Sequence, residues 1–328
     1  MIKVLVEKDI RQCVGVNKAA FAAVAEGFSK LAEGKANVPP IVRIDVPEFN
    51  GEVDIKTAYI EGIDSFAIKI AAGFLDNYKL GFPTGSGMMV LVSAKTGNPE
   101  SILLDNGYLT DVRTGIAGAI AAEYLARKDI KTAGAVGSGA QARFQIRGLK
   151  LVRDFKRLFV FGLISEQVDE YISEMTSEFG IEIIKASSVE QVVRQSDVVV
   201  TTTPSRKPYL KAEWLHPGLH ITCMGADSES KQELYADVFA RAQKIACDRK
   251  SQALKLGELH HALDEGIITN ESDIIELGEL TSNKKAGRQT DEEITICDLT
   301  GVGVQDTAIA LLAFQQAEMK GLGLDLNA

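Results

Sequence analysis

The sequence predicts an α/β protein in which a doubly wound parallel sheet is accompanied by a smaller α+β domain. Downstream of residue 132, short and continuously apolar runs alternate with helical patterns, which is typical of a parallel sheet covered by helices on both faces. Upstream of residue 106, apolar runs are separated by turn sequences such as Asn-Gly and Thr-Gly-Asn-Pro, which indicates a mostly antiparallel sheet. The chain therefore contains two different kinds of domain.

Length and composition agree with two globular domains. The chain has 328 residues, of which 45% are hydrophobic and 25% charged, so each domain can bury a core. The formal net charge of -9 argues against a general binder of nucleic acid or anionic membranes, because such proteins use basic surfaces. An anionic ligand must therefore meet local lysines or arginines. We expect a cytoplasmic protein, since the sequence shows neither a signal-peptide pattern nor a membrane-spanning run.

The first part of the chain begins with a predicted helix over residues 17–33. Asn17 can cap this helix, and Ala20, Val24, Phe28 and Leu31 recur on one face at helical spacing. That face is expected to pack against the domain core. Five short strands are then predicted, at residues 42–44, 52–60, 65–71, 88–93 and 101–105.

A long helix rich in alanine and glycine is predicted over residues 112–126, with residues 109–111 as its cap. It leads into a glycine-rich turn, where Gly137 permits a sharp bend and Gly139 allows close approach of a pyrophosphate. Small Ala142 lets the following helix pack close to the strand, and the free N–H groups of that helix would face the anion. Many glycine turns merely join elements, but a strand before it and a helix after it favour a dinucleotide cradle.

Strand and helix alternate over the remainder of the predicted Rossmann domain. Strands are predicted at residues 158–161, 181–185, 197–201, 220–224, 244–247 and 295–297. Helices are predicted at residues 165–178 and 189–194. A further alanine-rich helix over residues 306–320 could return to the first part of the chain.

The end of the second Rossmann strand leaves the cofactor type open. An acidic residue normally stands there to bind the adenosine ribose, and an arginine accommodates a 2′-phosphate. Here the strand ends with Phe161, Gly162, Leu163 and Ile164, which include neither. The missing cation favours NAD, with NADP possible.

Metal and disulfide chemistry find no support in the sequence. Its four cysteines have no disulfide or metal-ligand spacing, so we expect reduced thiols packed mainly in core strands: Cys13, Cys223, Cys247 and Cys297. The adjacent His260 and His261 would point in different directions on a helix. No metal site is predicted.

Three single cations stand among apolar or small residues of the first part: Arg43, Lys69 and Arg113. Lys69 is the most informative, because a lysine in the middle of an apolar strand is rarely buried unless it is paired. These cations could bind an anionic substrate. Each of them could instead be a solvated edge residue or part of a packing salt bridge.

Asp227 follows the predicted strand 220–224 and is succeeded by polar residues that we expect to start another helix. An aspartate just outside the carboxyl end of a parallel strand lies at the ligand crevice of this architecture. The same residue could serve as the N-cap of the following helix. The local sequence leaves both interpretations open.

Four ordered motifs together resemble the ornithine cyclodeaminase/mu-crystallin family, in its imino-acid reductase branch. They are Leu-Thr-Asp-Val-Arg-Thr-Gly at residues 109–115, Val-Gly-Ser-Gly-Ala-Gln-Ala at 136–142, Gly-Ala-Asp with Lys-Gln-Glu-Leu at 225–234, and Asp-Leu-Thr-Gly-Val-Gly-Val-Gln-Asp at 298–306. The resemblance implies a homodimer with a nicotinamide-binding Rossmann domain at residues 116–305. It also implies a discontinuous substrate and dimerisation domain at residues 1–115 and 306–328.

The resemblance also assigns roles to single residues. Arg43, Lys69 and Arg113 match positions that hold the substrate carboxylate, and Asp227 matches the catalytic acid or base, with Lys69 as a second catalytic candidate. The predicted cofactor-binding residues are Thr114, Gly137, Ser138, Gly139, Ala140, Gln141 and Thr202. Enzymes of the family transfer hydride between nicotinamide C4 and the Cα of an amino or imino acid, while an acid-base group serves the nitrogen.

Lys56 suggests which substrate is used. In cyclodeaminases an acidic residue meets the distal amino group of ornithine, and Lys56 stands at the matching place. A cation there would repel ornithine and attract a second carboxylate, unless Lys56 points to solvent. We therefore expect NAD(P)H-dependent reduction of an imino acid, with iminosuccinate to L-aspartate as the favoured case. The alternatives are a cyclodeaminase-type lyase acting on ornithine or in ectoine breakdown, and a mu-crystallin-like protein that binds NADP and a small ligand without turnover.

Overall fold

A computed structural model describes residues 2–327 and divides the chain into two compact units. The terminal unit contains the described residues up to Arg113 together with those from Val302 onward, and the central unit is Thr114–Gly301. The limits predicted from the sequence are residues 1–115 with 306–328, and 116–305. The first division falls inside a helix, between Arg113 and Thr114.

The elements are named in chain order. The strands are β1 (Ile2–Val6), β2 (Ala36–Asn37), β3 (Val42–Val46), β4 (Gly51–Ile60), β5 (Ser65–Phe74), β6 (Gly85–Ser93), β7 (Pro99–Leu104), β8 (Thr132–Val136), β9 (Arg157–Phe161), β10 (Glu182–Lys185), β11 (Val198–Thr201), β12 (His220–Cys223), β13 (Lys244–Cys247), β14 (Ile274–Glu276), β15 (Thr295–Asp298) and β16 (Leu324–Leu326). The helices are α1 (Glu7–Cys13), α2 (Lys18–Ala32), α3 (Tyr108–Leu125), α4 (Ala140–Val152), α5 (Ser165–Phe179), α6 (Val189–Gln195), α7 (Lys250–Leu256), α8 (Glu258–Asp264), α9 (Leu277–Thr281) and α10 (Gly303–Lys320).

The terminal unit is built on one sheet with the order β16-β1-β7-β6-β5-β4-β2, and β3 also pairs with β4. All its pairs are antiparallel except β1 with β7, so the predicted mostly antiparallel sheet is confirmed. Strands β1, β2 and β16 were not predicted. The edge strands β2 and β16 contain only two and three residues, which is too short a run to show a period.

Helices α2 and α10 pack against each other, and α10 also covers β4 and β5. The predicted cap of α2 is confirmed, because the N–H of Ala20 donates to Oδ1 of Asn17 at 3.0 Å. Val24 and Phe28 are fully buried on its inner face. A Cβ added at Gly27 would lie 3.2 Å from the carbonyl oxygen of Val304, so this glycine lets the two helices approach closely.

The central unit is a parallel sheet with the order β10-β9-β8-β11-β12-β15-β13-β14. Every neighbouring pair is parallel, which confirms the predicted doubly wound Rossmann arrangement. The strand order runs backward from β8 to β10 and forward from β11, so the direction of winding reverses between β8 and β11. In such sheets a ligand binds in the crevice outside the carboxyl ends of the strands at this reversal.

Helix α3 begins earlier than the sequence predicted. The helix starts at Tyr108, and its cap is Asp105, whose Oδ2 accepts the N–H of Leu109 at 2.7 Å. The expected cap at residues 109–111 is therefore wrong. Asn106 and Gly107 adopt left-handed conformations, with φ of 52° and 87°, and this turn brings the Asp105 side chain back to the helix end.

The glycines of α3 have a packing role within the central unit. A Cβ at Gly115 would lie 2.5 Å from the carbonyl oxygen of Phe144, and one at Gly148 would lie 2.1 Å from the carbonyl oxygen of Gly115. Helices α3 and α4 therefore pack backbone to backbone.

Among residues 2–327, no helix combines the length and the apolar character needed to span a membrane. All four cysteines are free thiols, and those of β12, β13 and β15 are buried.

Candidate active site

The turn after β8 has the geometry of a phosphate cradle. Gly137 has φ of 109°, and a Cβ at this position would lie 2.4 Å from Oγ1 of Thr202. Thr202 follows β11, and its N–H donates to the carbonyl of Val136 at 2.9 Å. The ends of β8 and β11 therefore meet at Gly137 and Thr202. Only glycine fits at position 137, because a side chain there would collide with Thr202.

The helix that follows begins without a side-chain cap. Gly139 is the N-cap of α4 and has no side chain, so it offers no acceptor to the N–H groups of the first turn. A Cβ added at Gly139 would meet no atom within 4 Å. Ser138 is nearly buried beside them. An anion can therefore approach this helix end directly.

Arg143 is a part of this loop that sequence reasoning missed. Its Nη1 donates to the carbonyl of Ser138 at 2.5 Å and to the carbonyl of Gly139 at 3.1 Å. Its Nε donates to Glu174 at 2.6 Å. An arginine four residues after a glycine, on the first turn of a helix, is the signal that could have revealed it. The guanidinium holds two loop carbonyls, which fixes the loop in shape.

Thr114 and the end of β9 are the remaining parts of the predicted cofactor site. The carbonyl of Thr114 accepts a hydrogen bond from Nε2 of buried Gln145 at 2.8 Å. At the end of β9, Leu163 is 94% exposed and Ile164 is 53% exposed. A Cβ at Gly162 would lie 3.0 Å from Oγ of Ser138, so this end of β9 lies beside the glycine turn.

Asp227 does not cap a helix. Residues 228–230 form a turn after β12, and the next helical segment is the short 3-10 helix Ala236–Arg241. The expected helix start at this place is therefore wrong. Oδ1 of Asp227 instead pairs with Nζ of Lys231 at 2.6 Å, and the Asp227 side chain is 41% exposed. A partly exposed carboxylate outside the end of β12 matches the crevice interpretation of Asp227.

In the terminal unit, Lys56 and Lys69 stand directly opposite each other on β4 and β5. Both are buried, with 7% and 1% of their surface exposed, so Lys56 does not point to solvent. Two like charges in this arrangement destabilise a sheet, and buried ammonium groups require anionic partners. We therefore expect anionic groups to bind at this face of the sheet.

Asp306 on α10 is the carboxylate that joins Lys69 to Arg113. Its Oδ2 lies 3.1 Å from Nζ of Lys69, and its Oδ1 lies 3.0 Å from Nε of Arg113. All three side chains are buried. Since one carboxylate serves two cations, the cluster keeps a positive charge whenever Lys69 is protonated.

Lys69 titrates near neutral pH. Burial and the charges of Arg113 and Lys56 lower its pKa, the Asp306 carboxylate opposes the shift, and together they bring the pKa to about 7. Asp105 is also buried nearby, and the loss of hydration raises its pKa to about 6. A buried lysine with a pKa near 7 can bind a carboxylate in one protonation state and exchange a proton in the other.

Arg43 is connected to this cluster through Asp54. Arg43 on β3 faces Asp54 on β4, with Nη1 at 3.7 Å from Oδ1, and Oδ2 of Asp54 lies 4.0 Å from Nζ of Lys56. Arg43 also pairs with Glu52 and, at 3.2 Å, with Asp45. A substrate carboxylate at Arg43 would therefore compete with carboxylates of the protein.

Sequence reasoning missed two acids of this site, Asp54 and Asp306. Asp54 stands two residues before Lys56 on the same strand, and Asp306 lies in the first turn of an alanine-rich helix. Each is a charge in an otherwise apolar or alternating pattern, the same signal that singled out Lys69. The terminal unit thus brings Lys56, Lys69 and Arg113 together, with Arg43 at the margin.

The comparisons with known proteins agree with the motifs. The sequence profile of the ornithine cyclodeaminase/mu-crystallin family matches residues 2–321, a span that includes all four motifs. The chain belongs to the ornithine cyclodeaminase/mu-crystallin family. The resemblance drawn from the sequence is therefore confirmed.

Members of this family with different activities are similar to the chain. An uncharacterized cyclodeaminase of Sinorhizobium fredii is 46% identical over 323 residues, which cover 98% of each chain. The structure of an archaeal alanine dehydrogenase dimer with bound NAD has a TM-score of 0.91 at 34% identity and covers 99% of each chain. That of the iminosuccinate reductase of Paracoccus denitrificans with NAD⁺ has a TM-score of 0.90 at 30% identity and covers 100% of this chain and 99% of that one.

Proposed function

We propose that this protein is an NAD-dependent oxidoreductase that reduces an imino acid to an L-amino acid, with iminosuccinate and L-aspartate as the favoured substrate and product. The observation that carries the proposal is the buried group of Lys56, Lys69 and Arg113, in which the single carboxylate of Asp306 bridges Lys69 and Arg113. Two cations that share one carboxylate can bind a further anion, and the carboxylates of an imino acid would supply it.

NAD fits the residues of the central unit. The open helix N-terminus at Gly139 and Ala140 suits a pyrophosphate, and Ser138, Gln141 and Thr202 border the same turn. Leu163 and Ile164 at the end of β9 give no cation for a 2′-phosphate, which favours NAD over NADP. Two similar structures, both at least 30% identical to this chain, contain NAD.

The chemistry divides between binding and proton transfer. Bound NADH would supply the hydride that adds to the imine carbon, while a proton is added to the nitrogen. Arg113 and Arg43 would orient the α-carboxylate, and protonated Lys69 would bind the same group. Asp227 would deliver the proton to nitrogen, and the ammonium of Lys231, 2.6 Å away, would stabilise the carboxylate that the transfer leaves.

Lys56 would select the substrate. It is buried opposite Lys69, and its Nζ lies 4.0 Å from Oδ2 of Asp54, at the limit of an ion pair, so a second carboxylate on the substrate would also be attracted to it. Iminosuccinate has two carboxylates separated by a short chain, whereas ornithine would place its distal ammonium near Lys56.

The second candidate, a cyclodeaminase-type lyase, is favoured by the similar protein from Sinorhizobium fredii. The third is a binding protein without turnover, like mu-crystallin.

One assay separates these functions. The purified protein is given NADH or NADPH with iminosuccinate, iminopropionate or 2-oxo acids plus ammonia, and nucleotide oxidation is followed. In parallel, ornithine and 2,4-diaminobutyrate are tested for ammonia release. We expect NADH oxidation to be fastest with iminosuccinate. Ammonia release from ornithine without net nucleotide consumption would establish the lyase, and nucleotide binding without turnover of any substrate would establish the binding protein.

Replacing Lys56 tests the dicarboxylate preference. Lys56→Glu reverses the charge opposite Lys69, so kcat/KM for iminosuccinate should fall by roughly two orders of magnitude, while that for iminopropionate changes little. Lys95→Glu is the matched control, because Lys95 is a surface lysine of the same unit with 74% of its side chain exposed. Equal losses for both imino acids would show a general defect, and no loss for either would remove aspartate as the product.

We further propose that the protein forms a homodimer through the terminal unit. Val42 and Ile44 on β3 are 55% and 51% exposed, and the loop after β5 exposes Tyr78, Leu80 and Phe82 by more than 60%. Monomeric proteins rarely expose a large contiguous apolar patch, and the N–H of Leu75 joins this loop to the turn after β3 by donating to the carbonyl of Asn50. The similar alanine dehydrogenase is a dimer, which supports a second copy of the chain as the partner.

A further inference from the structure

A buried glutamate connects two loops of the central unit that the proposed function uses. Glu233 is 0% exposed, and its carboxylate accepts five hydrogen bonds. Oε1 accepts from the N–H of Thr203 at 2.6 Å, and Oε2 accepts from the N–H of Gly225 at 2.9 Å. The hydroxyls of Thr201, Thr203 and Tyr209 donate the other three bonds at 2.6–2.7 Å.

These donors come from two different strand ends. Thr201 and Thr203 flank Thr202 at the end of β11, whereas Gly225 follows β12 and precedes Asp227 by two residues. No ion pair to Glu233 forms among the described residues. The carboxylate is therefore held only by hydrogen bonds from these loops and from Tyr209, and each loop is tied to the other through it.

Glycine at position 225 makes this contact possible. A Cβ there would lie 2.5 Å from Cδ of Glu233 and 2.2 Å from the carbonyl oxygen of Thr203. The glutamate is itself fixed, because its N–H donates to Oε1 of Glu258 at 2.6 Å. The carboxyl group thus packs directly against the backbone that leads to Asp227.

We propose that Glu233 is the positioning residue that holds Asp227 in its reactive place by fastening the loop after β12 to the loop after β11. This inference rests on the proposed function, since it takes Asp227 as the proton donor. Glu233 touches no reacting atom and acts through the backbone of Gly225. A fully satisfied buried carboxylate is suited to this role, because losing any of its bonds leaves a buried donor unsatisfied.

Glu233→Gln should separate catalysis from cofactor binding. Glutamine offers one carbonyl oxygen, but backbone N–H groups approach both carboxylate oxygens, so its amide NH₂ must face one of them. The fewest hydrogen bonds are lost when the NH₂ group takes the place of Oε2. The Thr201 hydroxyl can then rotate to accept a hydrogen bond from the NH₂ group, and only the Gly225 N–H is left without an acceptor. We expect kcat to fall at least tenfold, with the dissociation constant for NADH changed less than about threefold.

A double-mutant cycle with Asp227→Asn shows whether Glu233 acts through Asp227. In the Asp227→Asn background, Glu233→Gln should lower kcat by less than about twofold, because the group it positions is already gone. Tyr209→Phe is the matched control, since it removes one donor and leaves both loop contacts. It should keep kcat within about twofold of the wild type.

Several outcomes would overturn the inference. They are multiplicative losses in the cycle, an unchanged kcat in Glu233→Gln, or a loss of NADH binding equal to the loss of kcat. If Glu233→Gln does not fold, amide exchange of the wild-type protein decides, because the N–H groups of Thr203 and Gly225 should be protected together. A Gly225 amide that exchanges orders of magnitude faster than that of Thr203 would contradict the connection. If the wild type reduces no imino acid, the proposed function fails first, and the exchange result still tests the contact.

Discussion

At the scale of single residues, the site depends on cations that are buried against their own preference for water. Lys69 is 1% exposed and shares Asp306 with Arg113, so its charged form is costly until an anion arrives. Each unit of pKa shift corresponds to about 1.4 kcal/mol between the two protonation states. The lowered pKa of Lys69 is thus a loss of stability that a substrate carboxylate can recover.

The pH dependence of Lys69 can be predicted with its sign. The pKa is about 7 in the folded protein and 10.5 for a lysine exposed to water, so between these values the unfolded chain binds more protons. The free energy of unfolding should therefore rise from pH 7 to pH 10.5, and this rise should be missing in Lys69→Met. Carboxylate binding needs the charged lysine, so kcat/KM should fall above about pH 7.

Both pH dependences, of the free energy of unfolding and of kcat/KM, can be measured on the wild type and on Lys69→Met. Chemical denaturation gives the free energy of unfolding, and initial rates give kcat/KM. A wild-type profile that is flat between pH 7 and pH 9 would show that Lys69 is not the group that titrates in the free enzyme.

At the scale of elements, the turn from β8 to α4 contains two glycines with different functions. Gly137 is required by the fold, since its φ is 109° and Thr202 occupies the space of a Cβ. Gly139 has an ordinary extended conformation and open space around it. A side chain at Gly139 is therefore compatible with folding but would occupy the place of the pyrophosphate.

Substituting valine at the two positions should give different results. Gly139→Val should keep the melting temperature of the protein without nucleotide within a few degrees, while NADH affinity falls by two orders of magnitude or more. Gly137→Val should lower the melting temperature itself, because the left-handed backbone and Thr202 both oppose it. Thermal unfolding and NADH titration distinguish the cases, and unchanged affinity in Gly139→Val would reject the cradle.

At the scale of the whole molecule, the negative net charge of the chain contrasts with the cations that the terminal unit buries. The formal charge is -9, yet Lys56, Lys69 and Arg113 are all buried in this unit. At the surface of the same unit, in contrast, large apolar side chains of β3 and of the loop after β5 are exposed to water. Leu75 in that loop donates its N–H to the carbonyl of Asn50, which joins the loop to the turn after β3.

This exposed surface predicts how the oligomer should respond to a charge. Ile44→Glu should shift the protein from dimer to monomer in sedimentation velocity, because a buried carboxylate in an apolar interface is costly. Met319→Glu is the control, since Met319 is 71% exposed on α10 and lies outside this surface. A wild-type monomer, or an Ile44→Glu variant that stays dimeric at micromolar concentration, would place the interface elsewhere.

The sequence by itself determined the fold class, the glycine turn and the family, because apolar periodicity, glycine spacing and ordered motifs are local properties of the chain. It also identified Lys69 as an anomaly, since a charge inside an apolar strand is visible without a structure. The tertiary structure decided what surrounds each charge. The pairing of Lys56 with Lys69 depends on strand register, the Asp306 bridge depends on a helix far along the chain, and the Asp105 cap depends on a turn with positive φ. Such contacts arise from chain packing, which no local pattern records.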